Sequence, residues 1–275
     1  MTLELGLFGC GTIGTAIAEA IADDSLDATI GSIYDRHDDR ITTLIETVGG
    51  DDGIRVVREP VALADGVDLV VEAAGQQAVA SVAVPTLERG CDLLVLSVGA
   101  LADRSLYEAV LGATQRGGGT LYVPSGAIAG LDSIKAAAAA DELEAVSLTT
   151  TKPPESFEGA PHVVDNEIDL AAIDEPRVIF EGPATGAAAS FPANINVAIA
   201  LSLAGIGPDR TTVRIVADPA VDTNCHHIEA VGGVGQLETT VRNVPSPTNP
   251  KTSYLAPLSA IEKLRGLTAR VNVGT

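Results

Sequence analysis

Basic residues are scarce in this chain: 17 Lys and Arg stand against 37 Asp and Glu in 275 residues, a formal charge of −20. Such a field repels phosphate backbones and anionic lipid surfaces at long range, which excludes nucleic acid and membranes as partners. The acidic surplus gathers in runs such as Asp23-Asp24, Asp38-Asp39 and Asp51-Asp52, at predicted turns and helix ends. Carboxylate repulsion of this kind is best tolerated where salt screens it, so a saline, halophilic setting is expected. Cysteine is scarce too. Cys10, Cys91 and Cys225 are odd in number and lack C-x-x-C spacing, which excludes a disulfide framework and a structural zinc site and points to a reducing cytoplasm. No uninterrupted apolar run approaches the roughly 18 residues that suggest a bilayer span. The N-terminus shows no basic region followed by an apolar stretch, so a secreted protein is not expected.

What the chain does have is an apolar segment, Leu3 to Phe8, running into Gly9-Cys10-Gly11-Thr12-Ile13-Gly14. A strand that ends in G-x-G-x-x-G and enters a helix is built to hold a pyrophosphate: Gly9 allows the tight turn, Gly11 lets backbone approach the phosphates, and Gly14 lets helix pack closely on strand. The first helical residues, Thr12 and Ile13 with Gly14, present unsatisfied N–H groups to the anion. Thr12 to Asp23 reads as an amphipathic helix and Thr29 to Tyr34 as a second strand. Asp35 then falls where a carboxylate accepts adenosine ribose hydroxyls. Asp35 favours NAD, whereas the guanidinium of Arg36 suits the 2′-phosphate of NADP, so both cofactors stay open.

Strand-like and helix-like segments alternate onward to Pro124, the pattern of a parallel sheet covered on both faces. Helices are predicted over 38–48, 76–90 with a kink at Pro85, and 102–116; strands over 54–57, 67–74, 91–98 and 120–124. The small residues after the fourth strand, Ala74 and Gly75, leave room at the carboxyl edge for a nicotinamide ribose. After Ser125 the character changes. Strand candidates at 145–151, 177–180, 211–217, 225–231 and 237–241 cluster with few helices, apart from 131–140 and 194–204, which suggests a second, mixed sheet. The expected fold is α/β: a Rossmann-type doubly wound parallel sheet, residues 1–124 plus 249–275 with a returning helix at 253–267, and an α+β substrate and dimerisation domain at 125–248.

A glycine loop seats a cofactor without choosing a substrate, so the chemistry is sought in the second half. Only four histidines are present: His37, His162, His226 and His227. An imidazole is the natural group to move a proton while a hydride moves to or from nicotinamide. His226 and His227 are adjacent in a predicted strand and therefore point to opposite faces.

Several blocks from Pro124 onward resemble the L-aspartate dehydrogenase family: Pro124-Ser125-Gly126-Ala127-Ile128-Ala129-Gly130-Leu131-Asp132, Thr151-Lys152-Pro153-Pro154, Phe191-Pro192-Ala193-Asn194-Ile195-Asn196-Val197-Ala198, Ala217-Asp218-Pro219, Asn224-Cys225-His226 and Asn249-Pro250-Lys251-Thr252-Ser253. The resemblance implies NAD- or NADP-dependent oxidation of L-aspartate to iminoaspartate, a precursor of quinolinate and NAD, by a homodimer. It places the catalytic role on His226 and cofactor contacts at Ala127 and Asn196. A dicarboxylate requires cations and hydroxyls, for which Lys152, Lys251, Thr252, Ser253 and Ser125 are the donors at hand. The residue after the matched histidine, often acidic in that family, is His227 here, which leaves the field on His226 open. No metal ligand set is expected. Competing readings are a homoserine or dihydrodipicolinate type reductase of the same two-domain plan, and a nucleotide sensor without catalysis.

Overall fold

Buried β-branched and leucine-rich runs at β1 (Leu3–Phe8), β4 (Leu69–Glu72) and β5 (Asp92–Val95) form the centre of a parallel sheet in the computed structural model, which describes residues 2–50, 53–247 and 249–274. Strands hidden on both faces need no polar alternation. Between these strands come α1 (Thr12–Ala22), β2 (Ala28–Tyr34), α2 (Asp38–Thr47), β3 (Arg55–Val56) and α3 (Gln76–Glu88), and after β5 come α4 (Arg104–Gly117) and β6 (Leu121–Tyr122). The six strands run in the order β3-β2-β1-β4-β5-β6, and every pairing among them is parallel. Sequence order reverses direction between β1 and β4, which opens a ligand crevice at their carboxyl ends.

One detail differs from expectation. The segment after β5 leaves the strand at Val95 and coils into a 3-10 turn, Val98–Ala102, so the strand is shorter than 91–98. α3 continues through Pro85, whose missing N–H falls opposite Ser81 on the exposed side, where water can serve the orphaned carbonyl. Asp38 and Asp39 begin α2, where carboxylates suit the helix N-terminus; Asp51 and Asp52 lie outside the described residues.

The second unit spans Ser125–Leu255. Its elements are α5 (Leu131–Ala139), β7 (Leu143–Lys152), α6 (Pro161–Asp165), β8 (Arg177–Pro183), α7 (Ala184–Ser190), α8 (Asn196–Ala204), β9 (Thr211–Ala217), β10 (Asn224–Gly232), β11 (Gly235–Asn243), β12 (Pro245–Ser246) and β13 (Asn249–Ser253). Five strands form a mixed sheet ordered β11-β10-β7-β9-β8, with β7 and β9 parallel and the other pairs antiparallel. Period-two burial gives this sheet one inner face: Val146 and Leu148 of β7, Val213 and Ile215 of β9, Ile228 and Ala230 of β10. α5 and α8 pack on one another and against these strands. α8 begins at Asn196 rather than Asn194, because Pro192–Asn194 makes a separate 3-10 turn.

The final helix, α9 (Leu255–Thr268), adds Ala260, Ile261 and Leu264 to the core around β1 and α1. The first unit is therefore the chain up to Pro124 together with Ala256–Val273. Residues 249–255 belong to the second unit instead of the first, since β13 pairs with β12. Among the described residues no helix is long and apolar enough to cross a membrane.

Candidate active site

Each glycine of the loop after β1 does a different steric job. Gly9 has φ +105°, and a Cβ there would lie 2.7 Å from the carbonyl oxygen of Ala73. Gly11 faces open space, with nothing within 4 Å of a Cβ. At Gly14 a Cβ would fall 2.1 Å from the Gly9 carbonyl oxygen, so only hydrogen permits this approach of helix to strand. α1 begins after Gly11 with no side-chain cap, which leaves the N–H groups of Thr12, Ile13 and Gly14 for a ligand. Asp35, at the end of β2, accepts from the Cys10 N–H at 2.7 Å and from the His37 N–H at 2.9 Å. The carboxylate is thereby fixed beside the glycine loop, whereas Arg36 is exposed and its Nε donates to His37 at 3.2 Å. Such a cradle fits a dinucleotide: space at Gly11, free amides at a helix start, and an oriented carboxylate.

Ala74 and Gly75 follow β4, and both N–H groups donate to Glu72 Oε1, at 2.8 and 2.9 Å. Glu72 itself was missed as a site candidate. Its signal was a carboxylate closing an otherwise apolar central strand, a place where an unpaired charge is costly and donors must therefore be near.

In the second unit the inner face of the sheet turns polar at one end. Thr150 and Lys152 extend the β7 series Val146, Leu148, and His226 lies opposite Thr150 on β10. His226 is 4% exposed, and its Nδ1 lies 3.0 Å from Thr150 Oγ1. Burial first, and the Lys152 charge second, push its pKa down to about 3, so the imidazole is neutral at working pH. Lys152 is 9% exposed and donates from Nζ to Asn194 Oδ1 at 2.5 Å; burial lowers its pKa to about 8. Neither group pairs with a carboxylate among the described residues. Thr150 and Asn194 were also not singled out from sequence, though Thr-x-Lys on a strand does put both side chains on one face.

His227 points the other way, with Nδ1 2.8 Å from Thr240 Oγ1 and Nε2 3.9 Å from Glu229. The field on His226 therefore comes from Lys152, not from the neighbouring imidazole. Asn196 opens α8 on its exposed side, two residues beyond Asn194. Ala127 is buried, and its carbonyl accepts from Asn243 Nδ2 at 3.0 Å. Ser253, expected as a carboxylate donor, is engaged within the protein. Its one hydroxyl hydrogen goes to Asn243 Oδ1 at 2.6 Å, which clasps β13 to β11. Ser125 and Thr252 are half-buried, and Lys251 lies in β13 with its side chain outside the described residues.

Residues 132–267 match a family model described as aspartate dehydrogenase, C-terminal, and residues 9–124 match one described as homoserine dehydrogenase, NAD binding domain. The chain is 48% identical over 273 residues to the L-aspartate dehydrogenase of Methanococcoides burtonii, covering 99% of this chain and 100% of that one. It is 46% identical to the L-aspartate dehydrogenase of Nitrosopumilus maritimus over 95% of each. Among solved structures, aspartate dehydrogenase of Thermotoga maritima superposes with a TM-score of 0.76 at 27% identity, covering both chains fully. A hyperthermophilic archaeal homoserine dehydrogenase in complex with NADPH shares the fold, with a TM-score of 0.59 at 13% identity over 98% of this chain and 99% of that one.

Proposed function

The chain belongs to the L-aspartate dehydrogenase family of NAD(P)-dependent oxidoreductases, and on that footing we propose that it oxidises L-aspartate to iminoaspartate, which water converts to oxaloacetate and ammonia. The observation that carries this reading is a buried ammonium, Lys152, and a buried neutral imidazole, His226, on adjacent strands, with no carboxylate beside either among the described residues. A buried cation without an anion is unfavourable alone and favourable once an anionic ligand arrives. Aspartate brings two carboxylates, and Lys152 takes one of them, with Lys251, Thr252, Ser253 and Ser125 as further donors. Ser253 positions β13 through Asn243.

Bound NAD(P) supplies the electron-pair acceptor for the substrate Cα–H bond. Gly9, Gly11, Thr12, Ile13 and Gly14 hold its pyrophosphate, Asp35 or Arg36 meets the adenosine ribose, Ala74 and Gly75 the second ribose, and Ala127 and Asn196 the carboxamide end. His226 is the base. In the tautomer whose Nδ1–H donates to Thr150 Oγ1, Nε2 is left to take the proton of the substrate amine, or of the water that attacks the imine. Asn194 holds the Lys152 ammonium in place.

The same proposal includes feeding of quinolinate and NAD synthesis by iminoaspartate, which needs only that the imine be captured before hydrolysis. It includes a homodimer, supported by the uncovered outer side of the second sheet at Thr149, Arg214 and His227. A reducing cytoplasm is supported by three free cysteines, and a saline host by the −20 charge. The test is absorbance of reduced nicotinamide on adding L-aspartate, homoserine, or oxaloacetate with ammonia, with each cofactor, in low and multimolar salt. Aspartate is expected to turn over and homoserine is not. His226→Ala should lose on the order of 10²-fold or more in kcat with NADH affinity retained; wild-type turnover in that variant refutes the assignment.

A further inference from the structure

Glu72 ends β4 fully buried, and its side chain accepts four hydrogen bonds. Oε1 receives the N–H groups of Ala74 and Gly75 and the Ser97 hydroxyl at 3.0 Å, while Oε2 receives the Ser97 N–H at 3.0 Å. Its backbone adds to the same joint: the Leu96 N–H donates to the Glu72 carbonyl at 3.0 Å. One carboxylate thus fastens the loop after β4 to the loop after β5.

The first of these loops also abuts the glycine loop. The Ala73 N–H donates to the Phe8 carbonyl at 2.8 Å, and Ala73 is the residue against which a Cβ at Gly9 would collide. Gly75 takes φ +119° with open space around it, so backbone is exposed at this edge. Burial raises the Glu72 carboxyl above its usual range. An apolar side chain of similar volume would fill the same space without that desolvation cost. The carboxylate is therefore explained by its four donors, not by packing. Those donors lie in the two loops at the carboxyl ends of β4 and β5, next to the topological reversal where open α/β sheets bind ligands.

We propose that Glu72 is a positioning residue for the nicotinamide half of the dinucleotide: by gathering the amides of Ala74, Gly75 and Ser97 on one side chain, it sets the two loops on which that half rests. The adenosine half depends instead on Gly9 to Gly14 and Asp35. The inference rests on the proposed seating of NAD(P) along this edge, with Ala74 and Gly75 at the second ribose.

Calorimetric titration of NADH and of ADP separates the two halves, because ADP reaches only the glycine loop and Asp35. Glu72→Gln places an amide NH₂ where a donor must be accepted, and is expected to weaken NADH at least tenfold while changing ADP less than twofold. Ser97→Ala removes only the hydroxyl donor and keeps the Ser97 N–H. It is expected to weaken NADH three- to tenfold with ADP again unchanged, and it carries the test if Glu72→Gln does not fold. Equal weakening of NADH and ADP in Ser97→Ala, or unchanged NADH affinity in either folded variant, overturns the proposal. Wild-type protein that binds NADH no more tightly than ADP overturns the seating itself, and the proposal with it.

Discussion

The apparent affinity for dicarboxylates is expected to collapse above pH 8, and the structure sets the size of the effect. Lys152 is drawn down from 10.5 to about 8 because its ammonium is buried. If only the charged form receives a carboxylate, the competent fraction falls from about nine-tenths at pH 7 to about 3% at pH 9.5, roughly a thirtyfold loss. Aspartate titrates its own amine in that range, so the clean assay is the inhibition constant of succinate against aspartate, read from pH 7 to 9.5. It should rise about thirtyfold in the wild type. Lys152→Met should bind succinate on the order of 10²-fold more weakly at pH 7, from loss of a buried charge partner, and show no limb at pH 8. A flat profile in the wild type, or a limb that persists in Lys152→Met, refutes the reasoning. Stability provides an independent check of the same group. Between pH 8 and 10.5 the unfolded chain binds the lysine proton and the folded chain does not, so stability grows with pH across that window, by an amount on the order of 3 kcal/mol. Lys152→Met should lack that gain in urea melts.

Three further outcomes follow from named contacts. His226 refuses a proton until about pH 3, whereas the unfolded chain accepts one near 6.5, so stability falls as pH drops through that interval, by at most about 5 kcal/mol from this residue; His226→Gln should show a shallower loss in urea melts between pH 7 and 4, and an unchanged slope counts against the burial argument. Asp35→Ser removes the carboxylate held beside the glycine loop and should move the ratio of kcat/KM for NADP over NAD upward by at least about tenfold, since repulsion of a 2′-phosphate is lost; an unchanged ratio assigns preference to Arg36. Gly14→Ala forces a Cβ to 2.1 Å from the Gly9 carbonyl and should weaken NADH by roughly 10²-fold through displacement of α1; fluorescence titration with wild-type affinity would contradict the close-packing role.

What could be read from the residues alone was what depends on neighbours in sequence. The glycine loop is such a case, since the positive φ of Gly9 and the tight approach at Gly14 are consequences of the turn itself. The opposite facing of His226 and His227 is another, because strand alternation requires it. The Thr150–His226 and Lys152–Asn194 contacts join residues 76 and 42 positions apart. They exist only because β10 pairs with β7 in one register, with Thr150 opposite His226. A shift by one residue would place His227 on the inner face instead. The Ser253–Asn243 contact was hidden for a related reason. A hydroxyl near a basic residue suggests an anion donor, but its partner Asn243 lies on a strand whose position sequence does not show.

The low basicity of His226 bears on how such a site avoids idle chemistry. An imidazole drawn down to about pH 3 is a weak base, poorly matched to a substrate amine at neutral pH. Two causes hold it there, burial and the Lys152 charge, and only the second can change when a small anion binds. The negative charge of a carboxylate on Lys152 offsets the ammonium as seen from His226, and that change raises the imidazole toward the useful range. Base strength and substrate recognition are then coupled through one lysine: a ligand without a carboxylate leaves His226 too weak to act, while a dicarboxylate strengthens the base on arrival. By reciprocity, a proton on His226 strengthens the hold on the anion by the same factor. This is also why a lysine with no acidic partner among the described residues is more useful here than an ion pair formed in advance, which would satisfy the cation and fix the base strength whether or not substrate were present.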